Sequence, residues 1–383
     1  MKEVNGKRIV EWDDIVIDEL NKYIAEQIKA REIIFCCMLG SLVRNCKPAS
    51  FNLIIHSASS SGKDYVVGCV GRLFSENYIH VSRMSPTTFN YWHTKEKEPD
   101  WNWDGKIIHL EDISEVILNH EVMKTMTSGE TRAIITIKNE AKELEVKGKP
   151  VIIVTTATSI PSKEILNRFS VVKLDESHEQ IKVILKFRGE KAKDSTDLGF
   201  SFIVKEHISK LKSYGVSIPF ANKISEIFPC NELRENRNID RLFDFIKASA
   251  IFHQDNREKL EGEWIVATLE DYEIAKNIFE NLYSGVSEFP LNKTQRKIVN
   301  LLEEQENPLT AIEILQRLGD YIAIQNFRPH LAKLVNIEVL DAFEERGIGN
   351  IPTMKYNLSN EFKEFKPIKL PDGIDLEEND KND

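Results

Sequence analysis

The stretch Ser57-Ala58-Ser59-Ser60-Ser61-Gly62-Lys63-Asp64 decides the fold expected for this chain. It follows a short apolar run at residues 53–55 and precedes a segment with helical patterning at residues 65–74. Small residues between a strand and a helix let backbone amides approach phosphate oxygens at the helix N-terminus, where a lysine neutralises phosphate charge. The stretch therefore predicts a phosphate-binding loop, or P-loop, whose ATP site is lined by Ser57, Ser59, Ser60, Ser61, Gly62, Lys63 and Asp64.

Two positions depart from the P-loop pattern GxxxxGK(S/T). Ser57 stands at the first glycine, and Asp64 stands where a serine or threonine hydroxyl usually binds magnesium. A carboxylate offers the hard oxygen that suits Mg²⁺, but its negative charge also repels nucleotide. Two interpretations stay open: an ATP site with Asp64 as a magnesium ligand, and a serine-rich turn that binds no ligand.

A second motif follows the apolar run at residues 107–110, which ends in Glu111 and Asp112. Paired acids after a buried strand are typical of a Walker B motif, in which one carboxylate supports magnesium and the other orients the attacking water. The order Glu then Asp reverses the common pair, so the role of each acid stays open. We expect Asp64, Glu111 and Asp112 to be the Mg²⁺ ligands, the alternative being a strand that ends at an exposed acidic turn.

The pattern of apolar runs predicts an α/β fold with a parallel sheet. Continuous apolar runs separated by helical segments are typical of strands covered by helices on both faces. The runs lie at residues 53–55, 79–81, 107–110, 151–155 and 171–174. Beyond residue 175 the strand signals fade, and amphipathic patterns predict an all-helical domain at 176–285.

The C-terminal third predicts a winged helix at residues 290–362. Three helical patterns, at 293–304, 310–318 and 327–335, precede two short strand patterns around a glycine-bearing turn. The final segment, 363–383, is acidic and poor in apolar residues, which predicts disorder. The domain boundaries are therefore 1–175, 176–285, 290–362 and 363–383.

The order of these parts resembles that of AAA+ ATPases and, among them, the minichromosome maintenance (MCM) replicative helicases. The run Ile165-Leu166-Asn167-Arg168-Phe169 is similar to the family segment that carries the arginine finger, which implies that Arg168 reaches a neighbouring subunit's nucleotide. The run from Asn236 to Leu242 is similar to the segment with the sensor 2 arginine, which implies that role for Arg237. The resemblance also places a γ-phosphate sensor at Thr155 and Thr156.

Three regions are candidates for DNA contact. Between residues 84 and 104 lie five aromatic residues, which are either base-stacking platforms or ordinary packing. Two strand patterns around residues 138–142 resemble the pre-sensor 1 hairpin of MCM-related proteins, which implies DNA contact by Lys138 and Lys142. On the presumed recognition helix of the winged helix, Arg328 and Lys333 are candidate groove or phosphate contacts.

Composition limits the partners. The formal net charge of −10 excludes a protein that coats nucleic acid with its whole surface, so DNA contact must be local. The five cysteines show no zinc-ligand spacing, and no apolar run is long enough to span a membrane. We expect a cytoplasmic protein without membrane contact.

The resemblance implies an ATP-dependent DNA helicase or translocase of the MCM-like type that acts in DNA replication, in a mobile element, plasmid or virus. It also implies a homo-oligomer, a hexamer, with single-stranded DNA in its central channel and double-stranded DNA at the winged helix. An alternative stays open, because another class of AAA+ proteins also joins an ATPase core to a winged helix. This is an AAA+ initiator or helicase loader of the origin-recognition type that acts as an ATP-controlled DNA-binding switch.

Overall fold

A computed structural model of the chain describes residues 2–4, 7–85, 101–128, 131–137, 140–157, 162–193, 199–229, 235–283, 291–305, 307–319, 322–346, 352–363 and 368–371. In the first 175 residues the strands are β1 (Lys2–Val4), β2 (Lys7–Ile9), β3 (Leu53–His56), β4 (Tyr78–Val81), β5 (Ile107–Leu110), β6 (Thr131–Ile137), β7 (Glu140–Val146), β8 (Val151–Thr156) and β9 (Ser170–Val172). The helices there are α1 (Ile28–Leu39), α2 (Lys63–Gly71), α3 (Glu115–Leu118), α4 (Glu121–Met126) and α5 (Lys163–Leu166).

Five strands form a parallel sheet in the order β4-β5-β8-β3-β9, which confirms the expected α/β fold. Strands β3, β5, β8 and β9 are buried at every position, because helices cover both faces. In a parallel sheet the carboxyl ends of all strands lie on the same side, here called the carboxyl edge. The residues that follow β3, β5 and β8 therefore meet there, with β8 in the middle.

The two faces of the sheet belong to different apolar clusters. One face contributes Leu53, Ile55 and Ile153 to a cluster that also contains α1 and α2. The other face contributes Ile54, Ile108 and Ile152 to a cluster with α3, α4 and Trp103. The N-terminal region contains the paired strands β1 and β2, a π-helical turn at Asp14–Glu19, a 3-10 turn at Leu20–Lys22 and the buried helix α1.

The middle of the chain contains helices α6 (His178–Lys193), α7 (Phe202–Lys210), α8 (Ala221–Ile227), α9 (Glu235–Phe252) and α10 (Leu269–Leu282). The expectation of an all-helical region is wrong in one respect, since β10 (Gly215–Ser217), β11 (Lys259–Leu260) and β12 (Trp264–Val266) form a small sheet. These strands are two or three residues long, too short to give a strand pattern in the sequence. Helices α9 and α10 share one continuous apolar cluster with α1 and the sheet.

Residues 291–363, here called the C-terminal unit, have an apolar cluster of their own. The unit consists of α11 (Lys293–Glu303), β13 (Leu309–Thr310), α12 (Ala311–Leu318), α13 (Ile324–Asn336), β14 (Leu340–Arg346), β15 (Pro352–Leu358) and α14 (Asn360–Lys363). The three strands form an antiparallel sheet in the order β13-β15-β14. Capping boxes begin α11 at Asn292 and α12 at Thr310, which fixes the start of both helices.

Part of the C-terminal segment expected to be disordered is packed against the protein. Leu370 is buried and its backbone N–H donates to Glu280 of α10, while the Tyr272 hydroxyl donates to the carbonyl of Pro371. The sequence does not show this packing, because only two apolar side chains of the described segment, Ile368 and Leu370, pack against the main apolar cluster. Residues 372–383 lie outside the described residues. Within the described part of the chain, no helix is long and apolar enough to cross a membrane.

Candidate functional site

The loop between β3 and α2 has the backbone geometry that its small residues allow. Gly62 has φ +85° and Ser60 has φ +67°, both in the left-handed region, and α2 begins at Lys63 directly after Gly62. The loop is tied to neighbouring strands, because Ser57 donates its N–H to the carbonyl of Thr156 and accepts from Leu174 through its hydroxyl. This loop lies at the carboxyl edge of the sheet.

Lys63 lies between two carboxylates of the site. Its side chain is buried, with Nζ 3.8 Å from Asp64 Oδ2 and 3.9 Å from Asp112 Oδ1. Both distances are longer than a hydrogen bond. The two carboxylates therefore compensate the charge of the ammonium group without accepting hydrogen bonds from its N–H groups. A buried cation at a helix N-terminus, with free donors, is suited to bind phosphate oxygens.

Thr155 joins the two motifs. Its side chain is fully buried, and its hydroxyl donates to Asp64 Oδ1 while accepting from the backbone N–H of Asp112 at 3.0 Å. This contact follows from the strand order, since β8 lies between the strand before the P-loop and the strand before the acids. The structure thus brings together Lys63, Asp64, Asp112 and Thr155, while the adjoining Thr156 is also buried.

The charge of Asp64 is stabilised by this environment. Burial acts to raise its pKa, but the nearby His109 and the Thr155 hydrogen bond act against it. The positive charge of Lys63 adds to the second effect, and the pKa lies below its ordinary value. Asp64 is therefore ionised at neutral pH.

The two acids after β5 point to different partners. Asp112, in the left-handed region with φ +44°, faces Lys63, whereas the Glu111 carboxylate lies 3.0 Å from Nε2 of His80 on β4. The sequence left the roles of the two acids open, and the geometry separates them. Asp112 lies at the P-loop and Glu111 lies toward the edge strand.

Two site residues, His109 and Tyr78, escaped the sequence analysis. The imidazole of His109 in β5 is 1% exposed, with Nδ1 2.6 Å from the Tyr78 hydroxyl and Nε2 3.7 Å from Asp64 Oδ1. Burial lowers the pKa of His109, so the ring is neutral. The available signal was a polar residue inside a strand that is otherwise apolar.

The donor set fits magnesium bound together with phosphate. Among the described residues, no group of three or more His, Cys, Asp or Glu side chains converges as a metal cage. Mg²⁺ commonly uses one or two carboxylates, waters and substrate phosphates instead. Asp64 and Asp112 are the carboxylates near Lys63, so they fit this arrangement better than Glu111 does.

The two arginines expected to contact nucleotide are linked through the backbone. Arg168 donates to Ser128 Oγ at 2.5 Å and approaches Glu164 at 3.4 Å. Arg237 is exposed and donates to the carbonyl of Asn167 at 3.3 Å. The Arg237 guanidinium therefore lies beside the residue that precedes Arg168.

The candidate DNA contacts differ in their surroundings. Strands β6 and β7 pair as the expected hairpin, but β7 begins at Glu140, so Lys142 lies in the strand opposite Ile135 and not in the turn as expected. Lys138 and the side chain of Lys142 lie outside the described residues. Of the five aromatic residues, Phe89, Tyr91 and Trp92 also lie outside them, whereas Trp103 is buried in the core against Trp101. For Trp103 the packing interpretation is therefore the correct one.

On α13 the two candidates have different environments. Arg328 is exposed, but Lys333 donates to Glu115 of α3 at 2.6 Å. In this conformation Lys333 is held by the core instead of being open to DNA. This pairing could not be predicted from the sequence, because the two residues are far apart in the chain.

A buried strand, a glycine-containing loop with a buried lysine at a helix N-terminus, and a carboxylate at the end of a parallel neighbour define a P-loop nucleotide-binding domain. Comparison with protein families agrees: residues 3–201, a little over half of the chain, match the family model described as the MTBMA_p00010 P-loop domain. The chain belongs to this family. No curated protein matches the chain.

Proposed function

We propose that the protein is an ATP-dependent DNA helicase or translocase of the AAA+ MCM-like type. The observation that carries the proposal is the hydrogen-bonded link from Asp64 through Thr155 to Asp112, with Lys63 between the two acids. It gathers phosphate-binding, metal-binding and sensing groups at one edge of the sheet. The middle strand carries the sensor threonine, as the resemblance to AAA+ ATPases implies.

In this proposal each group has a distinct task in ATP hydrolysis. Lys63 binds the β- and γ-phosphate oxygens, and Asp64 and Asp112 hold the magnesium ion, which supplies charge neutralisation for the phosphates. Glu111 orients the attacking water from the side of β4, where His80 holds its carboxylate. Thr155 connects both acids and responds to the γ-phosphate.

The active assembly is proposed to be a ring, a hexamer, in which each site is completed by a neighbour. The position of Arg237 supports this arrangement, because its guanidinium contacts the carbonyl of Asn167, the residue before Arg168. A guanidinium group is suited to bind phosphate oxygens through paired hydrogen bonds. Arg168 is therefore assigned to the neighbour's nucleotide and Arg237 to the sensor 2 position.

Single-stranded DNA is proposed to pass through the centre of the ring, against the β6–β7 hairpin with Lys138 and Lys142. The three longer helices and the antiparallel strands of the C-terminal unit support the proposal that it is a winged helix, with the exposed Arg328 as its candidate for contact with double-stranded DNA. The proposed process is DNA replication of a mobile element, plasmid or virus.

Purified protein should hydrolyse ATP faster with single-stranded DNA and should displace the annealed strand of a forked duplex. Lys63→Ala, prepared in the same way, controls for contaminating ATPases. If hydrolysis depends on Lys63 but no forked substrate is unwound, the helicase proposal fails while the ATPase proposal stands.

The second candidate is an AAA+ initiator or helicase loader that works as an ATP-controlled switch. One contact favours it: the C-terminal unit docks on the nucleotide-binding core through Lys333 and Glu115. A contact next to the acid pair would let nucleotide control a DNA-binding surface. Gel filtration with and without a slowly hydrolysed ATP analogue separates a closed ring from a monomer that binds duplex DNA.

A further inference from the structure

Three polar side chains form a row beneath the P-loop helix. The row runs from Tyr78 on β4 to His109 on β5 and then to Asp64 at the start of α2. The Tyr78 hydroxyl lies 2.6 Å from His109 Nδ1, and His109 Nε2 lies 3.7 Å from Asp64 Oδ1. The row thus links the edge strand of the sheet to the P-loop.

Hydrogen-bond chemistry assigns the protons in this row. A carboxylate only accepts hydrogen bonds, so the tautomer that suits this row is the one with its proton on Nε2, facing Asp64. His109 Nδ1 is then an acceptor, and the Tyr78 hydroxyl donates to it. Nε2 is buried and has no hydrogen-bond partner among the described residues. Closing the gap to Asp64 needs a movement of roughly 0.7 Å, down to about 3.0 Å.

Tyr78 is held in place by the helix above it. An added Cβ on Gly71 of α2 would overlap the ring of Tyr78, so the ring lies directly against the backbone of that helix. The hydroxyl cannot move far without moving α2. The row is therefore enclosed between the sheet and the helix that begins with Lys63 and Asp64.

The two oxygens of Asp64 have different surroundings. Oδ1 faces the Thr155 hydroxyl and His109, whereas Oδ2 faces Lys63 at 3.8 Å. An unrestrained carboxylate would move onto the ammonium group and neutralise the charge that phosphate needs. The Thr155 donor on Oδ1, together with the His109 ring nitrogen that faces the same oxygen, opposes that rotation and leaves Oδ2 toward Lys63 and a metal ion beside the phosphates.

We propose that Tyr78 and His109 are positioning residues that fix Asp64 as the magnesium ligand, in place of the hydroxyl that this P-loop lacks. The inference rests on the proposed ATP hydrolysis and goes beyond it, because it explains how a carboxylate works at this position. Donors behind a metal ligand commonly change metal affinity by about 10- to 100-fold when removed.

The test is Tyr78→Phe, which removes the hydroxyl and leaves the ring against Gly71. Binding of the analogue ATPγS is measured with MgCl₂ and with EDTA, and MgCl₂ is titrated at fixed ATPγS. We expect the apparent Mg²⁺ affinity to fall by about 10-fold while binding in EDTA stays at the parent value. The matched control is Tyr65→Phe in α2, which removes a hydroxyl that donates a hydrogen bond to the Tyr23 carbonyl. It should leave both affinities unchanged.

A double-mutant cycle with Asp64→Thr separates positioning from general damage. With a hydroxyl at this position there is no carboxylate to orient, so adding Tyr78→Phe should change Mg²⁺ affinity by less than about 2-fold. Equal losses with and without magnesium, or an equal loss in the Asp64→Thr background, would overturn the inference. Parent protein that binds no ATPγS would instead overturn the proposed function.

Discussion

The hydroxyl of Thr155 donates a hydrogen bond to the carboxylate of Asp64 from the strand next to the P-loop strand. The same oxygen accepts the backbone N–H of Asp112, so one buried group joins the loop that binds phosphate to the acids after β5. A change at one motif is therefore transmitted to the other through one atom.

Thr155→Val should break this link without changing the shape of the side chain. The variant leaves the Asp112 N–H and one oxygen of Asp64 without their partner, and because both residues are partly exposed, each loss should cost near the lower end of about 1–3 kcal/mol. We expect a lower midpoint in urea unfolding and a large loss of ATP hydrolysis. Thr155→Ser keeps the hydroxyl and should keep hydrolysis. Parent-like hydrolysis in the valine variant would contradict a role for this hydrogen bond.

Glu32 should make stability depend on pH. Burial in α1 raises the pKa of its carboxyl to about 7, and the Asn277 side chain donates to it at 3.3 Å. The ordinary value is 4.5, so between pH 4.5 and about 7 the folded state holds a proton that the unfolded state has lost. The contribution of Glu32 is therefore complete below pH 4.5 and is lost as pH rises through about 7.

Glu32→Gln removes this dependence. At pH 8 the variant should exceed the parent in free energy of unfolding by up to roughly 3 kcal/mol, and at pH 4 the two should be nearly equal. Urea unfolding at both pH values measures the difference, and Glu226→Gln, at an exposed position of α8, is the control. An identical difference at both pH values would show that Glu32 does not titrate in this range.

The pairing of Lys333 with Glu115 should limit DNA binding by α13. The pair is partly exposed, and such pairs are worth about 0.2–1 kcal/mol, so breaking it should not unfold the protein. Glu115→Gln frees the ammonium group and should raise affinity for duplex DNA by up to roughly 5-fold. Fluorescence anisotropy at several salt concentrations measures this, with Glu226→Gln as a control of equal charge change. A gain of equal size in the control would mean that net charge alone is responsible.

Sequence patterns predicted the parallel sheet and the P-loop because these depend on local features. Buried parallel strands appear in the sequence as continuous apolar runs, and the P-loop is recognised by its run of small residues before Lys63. Within the region predicted to be helical, the core-facing side of α6 could not be predicted, because its buried residue is Gln180 whereas Ile181, Val183 and Leu185 are exposed. The different partners of Glu111 and Asp112 also could not be predicted from the sequence. It depends on a left-handed backbone at Asp112 and on a histidine on another strand.

The positioning row was invisible for a related reason. The sequence shows His109 as a polar residue inside an apolar strand, but Tyr78 and Asp64, which lie next to it, belong to two other elements. Only the strand order brings them together. Likewise, Lys333 was predicted to contact DNA because the sequence does not show that Glu115 of the core lies next to it.

The sharpest prediction compares Lys63 with Arg168, because the two variants should fail differently. Lys63 is buried among the groups of its own site, so Lys63→Ala should lose nucleotide affinity together with hydrolysis. Its charge-assisted contacts are worth roughly 1.5–3 kcal/mol each. Arg168→Ala should bind ATPγS like the parent but lose turnover by on the order of 10³- to 10⁵-fold, as expected for an arginine finger.

The local contacts of Arg168 require a control, since its guanidinium also approaches Glu164. Glu164→Gln weakens that pair but keeps the guanidinium, so it should retain turnover. Mixing Lys63→Ala with Arg168→Ala then tests the ring, because some interfaces join an intact lysine site to an intact arginine. Partial recovery of hydrolysis in the mixture is the expected result when subunits exchange. If Arg168→Ala alone hydrolyses ATP at the parent rate under assembling conditions, Arg168 is not the finger, and the proposed likeness to MCM helicases loses its main support.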